Sequence, residues 1–300
     1  MNNTPLEKRK KRRLKYIAVL PSFITLMNGA CGFMAIVFTS RSQAIGWSLP
    51  FIRSSYVTSF SLAGYMIFLA MIADMLDGRV ARLTRTTSSF GGQLDSLTDA
   101  ISFGAAPSFL MVKFVEFYLN DLRLEHIRLS ILLGRAVFFS AILYVMCTIV
   151  RLARFNVENE EDEASHMNFS GLPSPAAAGI IVSLVIFHQQ FLRRIAGQTQ
   201  GVFITLEKAV IFALPLITLF AGVLMVTRIR YPHAANQLLR GKKTPLSLLA
   251  IFASGLLIVW NIQLAMVAGF CGFALFGIFR WIFSGLFRKR QPGTHSEISS

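Results

Sequence analysis

Residues Ala70-Met71-Ile72-Ala73-Asp74-Met75-Leu76-Asp77-Gly78-Arg79-Val80-Ala81-Arg82 close one long apolar run, and Gly91-Gly92-Gln93-Leu94-Asp95-Ser96-Leu97-Thr98-Asp99 open the next. Four carboxylates therefore stand at the edges of two hydrophobic stretches. Ionisable side chains are costly there, and they mark a site or a transport path. At about 100° per residue, Asp74, Asp77, Gly78 and Ala81 share one helical face. Asp95 and Asp99, four apart, stack on a second face, with Gly91 one turn earlier. Two antiparallel helices facing each other gather four anions into one small volume. Their repulsion opposes joint ionisation unless a hard divalent cation bridges them, and Mg²⁺, Mn²⁺ and Ca²⁺ all accept carboxylate oxygen. Four such ligands suit two metals, and two metals clamp a diphosphate. Gly78, Ala81, Gly91 and Gly92 leave room for a ligand near the backbone, and Arg82 is a bidentate phosphate donor. A plain helix-end salt-bridge network with Arg79, Arg82 and Arg85 would account for one Asp–Arg pair better than for four acids at this spacing.

Outward from this stretch the chain reads as an all-α, polytopic membrane bundle. Eight apolar runs fall at about 16–39, 56–77, 93–117, 131–152, 174–191, 209–227, 245–260 and 264–286, near the roughly 20 residues a spanning helix needs. The 300 residues are 54% hydrophobic and 15% charged, against about 25% charged in a soluble domain. The formal charge of +15 does not indicate nucleic acid. The basic residues flank apolar runs, where they set topology and meet anionic lipid head groups. The organisation expected is a basic cytoplasmic tail at 1–15, a membrane domain at 16–287 and a cytoplasmic tail at 288–300, its end disordered. Cys31, Cys147 and Cys271 lie inside apolar runs without a CxxC pair and read as structural thiols. The five histidines show no metal-binding spacing. The first run is too long for a signal peptide and reads as a retained span. The acidic segment Glu158 to Glu163 reads as a solvated loop.

The aspartate stretch resembles the signature of the CDP-alcohol phosphatidyltransferase family, D-x2-D-G-x2-A-R-x8-G-x3-D-x3-D, matched by Asp74, Asp77, Gly78, Ala81, Arg82, Gly91, Asp95 and Asp99. Further stretches are similar to its integral-membrane (type II) phosphatidylserine synthase branch. They are Pro21 to Asn28, Ser102 to Pro107, Arg151 to Asn156, Phe169 to Pro175 and Arg228 to Pro232. Phosphatidylglycerophosphate synthases more typically carry Pro after the third aspartate and Lys after the fourth, where this chain has Ser96 and Ala100. The resemblance implies a six-helix catalytic core plus two further spans, and as its chemistry phosphatidyl transfer from CDP-diacylglycerol to L-serine with release of CMP. It also implies two divalent ions, Mg²⁺ or Mn²⁺, held by Asp74, Asp77 and Asp95. Asp99 would be both a metal contact and the general base. Gly78, Ala81, Arg82 and Gly91 would line the CDP pocket, and a homodimer in the inner membrane would face its active site to the cytoplasm.

Two further groups of residues belong to this reading. Thr25 and Asn28 share a face of the first span and are candidates for the nucleotide site or for interhelical hydrogen bonds. Arg151 and Arg154, three apart at the cytoplasmic end of the fourth span, are candidates for the serine carboxylate, with Asn156 as a polar contact. Glycerol 3-phosphate, inositol phosphate or choline as acceptor is the alternative within the class. A divalent-cation transporter is the alternative outside it, although transporters place their sites near the bilayer midplane. The basic tail and an even number of spans predict both termini and the region of Arg85 on the cytoplasmic side. Labelling of single introduced cysteines should reach all three from that side, whereas a C-terminus labelled from outside would require an odd number of spans.

Overall fold

The computed structural model describes residues 5–41, 58–84, 89–121, 127–161, 171–196, 201–229, 231 and 260–288, and among them there is helix and no strand. The helices are α1 (Pro5–Ser40), α2 (Ser59–Thr84), α3 (Ser89–Asp99), α4 (Ala106–Asp121), α5 (Ile127–Glu161), α6 (Ser174–Phe187), α7 (Arg193–Ala196), α8 (Val202–Val226) and α9 (Ile262–Arg288). Two π-helical segments, Ala100–Ala105 and His188–Leu192, join α3 to α4 and α6 to α7. Seven stretches are long and apolar enough to cross a membrane: Ser22–Ser40, Ser59–Val80, Phe90–Asn120, Ile131–Val157, Ser174–Ile195, Val202–Val226 and Ile262–Phe283. They coincide with seven of the eight runs expected from sequence, and the protein is a multi-pass membrane protein. The remaining run, 245–260, lies outside the described residues except at its last position, as does the tail beyond 288. The acidic segment, expected as a loop, instead continues α5 as far as Glu161, and only Asp162 and Glu163 lie outside the described residues.

α6 is the central helix, with every residue from Ala177 to Ile186 buried, as expected of a helix apolar on all sides. α1 packs chiefly on α2, α5 on α8, and α9 on α6. Phe103, Leu110, Phe114, Tyr144, Ile181 and Leu214 are fully buried between them. Large apolar side chains on the outside, such as Phe139 and Ile142 on α5 and Phe276 and Phe279 on α9, suit hydrocarbon and not water. The π segment after α6 is tied to its neighbours by polar contacts. The Tyr65 hydroxyl on α2 and Gln263 Nε2 on α9 both donate to Gln190 Oε1, at 2.9 and 2.8 Å.

The third span differs from the plain helix expected over 93–117. Directly after Asp99 the backbone enters a π turn, with the Ala106 N–H donating to the Ile101 carbonyl. Hydrogen bonds to other helices brace this turn. The buried Tyr144 hydroxyl on α5 donates to the Phe103 carbonyl at 2.9 Å, and Ser102 Oγ donates to the Asn28 carbonyl on α1 at 2.9 Å. The second contact requires α1 to lie almost backbone to backbone against the third span. Gly29 and Gly32 make this possible. A Cβ at Gly29 would sit 2.8 Å from Thr98 Cγ2, and one at Gly32 would sit 2.7 Å from Ser102 Cα. Close crossings at small residues are a normal device of membrane bundles, where lipid supplies no hydrophobic drive between helices.

Overpacking a tight contact costs about 1–3 kcal/mol. Gly32→Leu should therefore lower the thermal midpoint of the purified protein in detergent. Gly134→Leu, where a Cβ meets nothing within 4 Å, should leave it unchanged. Equal midpoints for the two variants would contradict the close crossing.

Candidate active site

The C-terminal part of α2 delivers Asp74 and Asp77, and α3 delivers Asp95 and Asp99. One carboxylate oxygen from each of Asp74, Asp95 and Asp99 lies within 4.8 Å of the other two. Asp77 stands beside this trio and not within it. Its Oδ2 accepts a short hydrogen bond from Thr25 Oγ1 on α1, while its Oδ1 is buried without a hydrogen-bond partner. Asp99 is only 7% exposed, and its Oδ1 accepts from Asn28 Nδ2 at 2.9 Å. Thr25 and Asn28, candidates for the nucleotide site by sequence, thus hold the second and fourth acids of the motif.

The donor set fits a hard divalent cation. It is all carboxylate oxygen, the ligand type that Mg²⁺ and Mn²⁺ prefer to nitrogen or sulfur. Three like charges at this separation repel strongly in a low-dielectric setting, and a bridging cation removes that cost. The buried, unpartnered Asp77 Oδ1 offers one more donor of the same kind. Space is available as well, since a Cβ at Gly78 or Gly92 would meet nothing within 4 Å. Gly91 is half-buried. The side chains of Ala81 and Arg82, expected in the CDP pocket, lie outside the described residues, although both positions belong to α2.

Of the three residues assigned to the acceptor, Arg151 is linked electrostatically to the acids. Its charge acts on both Asp74 and Asp99. Arg151 Nη1 donates to the buried Ser174 Oγ at the start of α6, at 2.9 Å, and its Nε is a buried donor with no partner. Asn156 is joined to α3 by Ser96 Oγ, which donates to Asn156 Oδ1 at 3.0 Å. Arg154 is half-buried on the same helix. Sequence reasoning missed the pairing of Ser174 with Arg151. A serine between two prolines reads as a helix-start device, and nothing local shows that it meets a side chain 23 residues away.

The family model described as CDP-alcohol phosphatidyltransferase matches residues 18–212. The chain is similar to a Helicobacter pylori protein named CDP-diacylglycerol–serine O-phosphatidyltransferase, with 33% identity over 248 residues, 82% of this chain and 90% of that protein. A Methanocaldococcus jannaschii protein of the same name is 28% identical over 225 residues, 75% of this chain and 79% of its own length. One from Saccharomyces cerevisiae is 31% identical over 173 residues, 55% of this chain and 52% of its own. No solved structure matches.

A ligand that binds only the folded state raises its stability by mass action. Mg²⁺ or Mn²⁺ should therefore raise the thermal midpoint of the purified protein. Asp74→Asn and Asp95→Asn should each abolish most of that rise. A midpoint indifferent to either ion would exclude the three acids as a cation site.

Proposed function

The chain belongs to the CDP-alcohol phosphatidyltransferase family, and on that premise we propose that it transfers the phosphatidyl group of CDP-diacylglycerol to the hydroxyl of L-serine, releasing CMP. The observation that carries this reading is the convergence of Asp74, Asp95 and Asp99 with the charge of Arg151 at one end of the bundle. The relatives aligned over most of this chain are named for serine as the acceptor, which supports that choice of alcohol. Family membership removes the ground for an ion-transport reading.

In this mechanism Asp74, Asp77 and Asp95 would hold two divalent ions, with Asp99 as a further contact. Bound Mg²⁺ or Mn²⁺ supplies Lewis-acid neutralisation of the diphosphate charge. Gly78, Ala81, Arg82 and Gly91 line the nucleotide pocket. Asn28 holds Oδ1 of Asp99, leaving Oδ2 to take the proton of the serine hydroxyl as that oxygen attacks the phosphorus of the phosphatidyl group. The bond from this phosphorus to the bridging oxygen breaks, and the bond's electron pair leaves with CMP. Arg151, with Arg154 and Asn156 beside it, receives the serine carboxylate through donors of the kind its buried Nε presents. The lipid tails stay in the bilayer of the inner membrane, and the polar end of the reaction faces the cytoplasm. The family resemblance adds a homodimer.

The test is CMP release by purified protein given CDP-diacylglycerol, Mg²⁺ or Mn²⁺, and serine, glycerol 3-phosphate, inositol phosphate or choline in turn. Serine should support turnover, exhaustive EDTA should abolish it, and either ion should restore it. Asp99→Asn should lower kcat by about 10²–10⁴-fold, the usual worth of a general base, while CDP-diacylglycerol still binds. Asp77→Asn should weaken that binding itself. Full turnover of Asp99→Asn would reject the assigned base, and turnover with another alcohol in place of serine would reject the acceptor.

A further inference from the structure

The start of α6 is anchored to the C-terminal end of α8. Gly171 adopts φ +90°, a left-handed conformation that favours glycine. A Cβ there would collide with the Met225 carbonyl oxygen and sit 3.1 Å from that of Thr227. The Gly171 N–H donates to the Ile229 carbonyl at 2.8 Å, and the Leu172 N–H donates to the Leu224 carbonyl at 3.1 Å. The strap thereby satisfies a carbonyl at the C-terminal end of α8 that lacks a helical partner. Leu172 is fully buried, and Pro173 (φ −56°, ψ 138°) turns the chain into the helix. The next residue, Ser174, is 1% exposed and follows directly on this anchored strap.

Its hydroxyl oxygen accepts from Arg151 Nη1 at 2.9 Å. The chemistry of that acceptor matters. Arg151 lies within electrostatic reach of Asp74 and Asp99, and a guanidinium free to move would pair with one of them as a fork on a carboxylate. Such a pair would neutralise the arginine and occupy oxygens of the acidic trio. A hydroxyl carries no charge. It fixes the guanidinium while leaving its full positive charge and its buried Nε donor unspent.

We propose that Ser174 is a positioning residue that holds Arg151 off the acidic trio and aims it at the carboxylate of the acceptor. The inference rests on the reading of Arg151 as the acceptor's cation, and it adds that this role depends on a neutral partner supplied by the strap before α6.

The test uses the full-length protein and separate KM values for serine and for CDP-diacylglycerol. Ser174→Ala should raise the KM for serine by about 10-fold, the scale of a lost hydrogen bond to a charged group, with the KM for CDP-diacylglycerol and the thermal midpoint little changed. Ser174→Thr, which keeps the hydroxyl, should stay close to wild type. If Ser174→Ala does not fold, Ser174→Cys, similar in size but a poor acceptor, takes its place. A residue acting through Arg151 has nothing left to contribute once that side chain is gone. Ser174→Ala should therefore add no further rise in an Arg151→Ala background. An additive effect, an unchanged serine KM, or equal loss in the Ala and Thr variants would overturn the proposal. An Arg151→Ala protein with an unaltered serine KM would reject the acceptor reading itself. A clear Arg151 effect without a Ser174 effect would reject only the positioning role. If another alcohol proves to be the acceptor, its KM is the quantity read in every arm.

Discussion

Repulsion among Asp74, Asp95 and Asp99, with carboxylate oxygens within 4.8 Å of one another, sets the terms for the packing around them. The low dielectric of a helical bundle sharpens that repulsion, and salt bridges to each acid would relieve it at the expense of the ligand oxygens. α1 meets the motif differently. Thr25 and Asn28 reach Asp77 and Asp99 with uncharged donors, which orient carboxylates without cancelling their charge. Short side chains can do this only if the helices nearly touch, which is why Gly29 and Gly32 face Thr98 and Ser102. The electrostatic requirement at the site and the steric requirement at the crossing are one constraint seen from two directions.

Arg151 obeys the same rule with the sign reversed. Its hydrogen-bonded partner in the protein is a neutral hydroxyl, so the positive charge survives next to the negative ones. Opposite charges kept close and uncollapsed are a costly arrangement in a folded protein. They are useful where a ligand carrying both signs, such as an amino acid beside a diphosphate, is to enter between them.

Much of this was legible in the chain. Apolar run length fixed the positions of seven helices because a membrane demands length and apolarity over any finer pattern. The spacing of the aspartates identified their helical faces because i, i+3 and i+4 geometry is local. What failed to show was non-local. The hydrogen-bond partner of Asp77 is Thr25, 52 residues earlier. The partner of Arg151 depends on where the strap at Gly171 crosses α8. The π turn after Asp99 was also invisible, because Ala100 to Ala105 keep the composition of an ordinary span, and its braces, Ser102 and Tyr144, act through contacts with distant helices.

That π turn divides the third span into two screws of different phase. Upstream, the winding of α3 is keyed to the acidic trio; downstream, the winding of α4 is keyed to Phe114, Tyr118 and the buried interior. A regular helix would rigidly couple the two, so that any rotation improving the core would swing Asp95 and Asp99 off their target. The slower winding between them acts as a vernier. The bundle can settle its interior on one angular setting while the carboxylates keep another, and the gain or loss of a single residue in this segment would shift the acidic face relative to the core without shortening the span enough to leave the membrane.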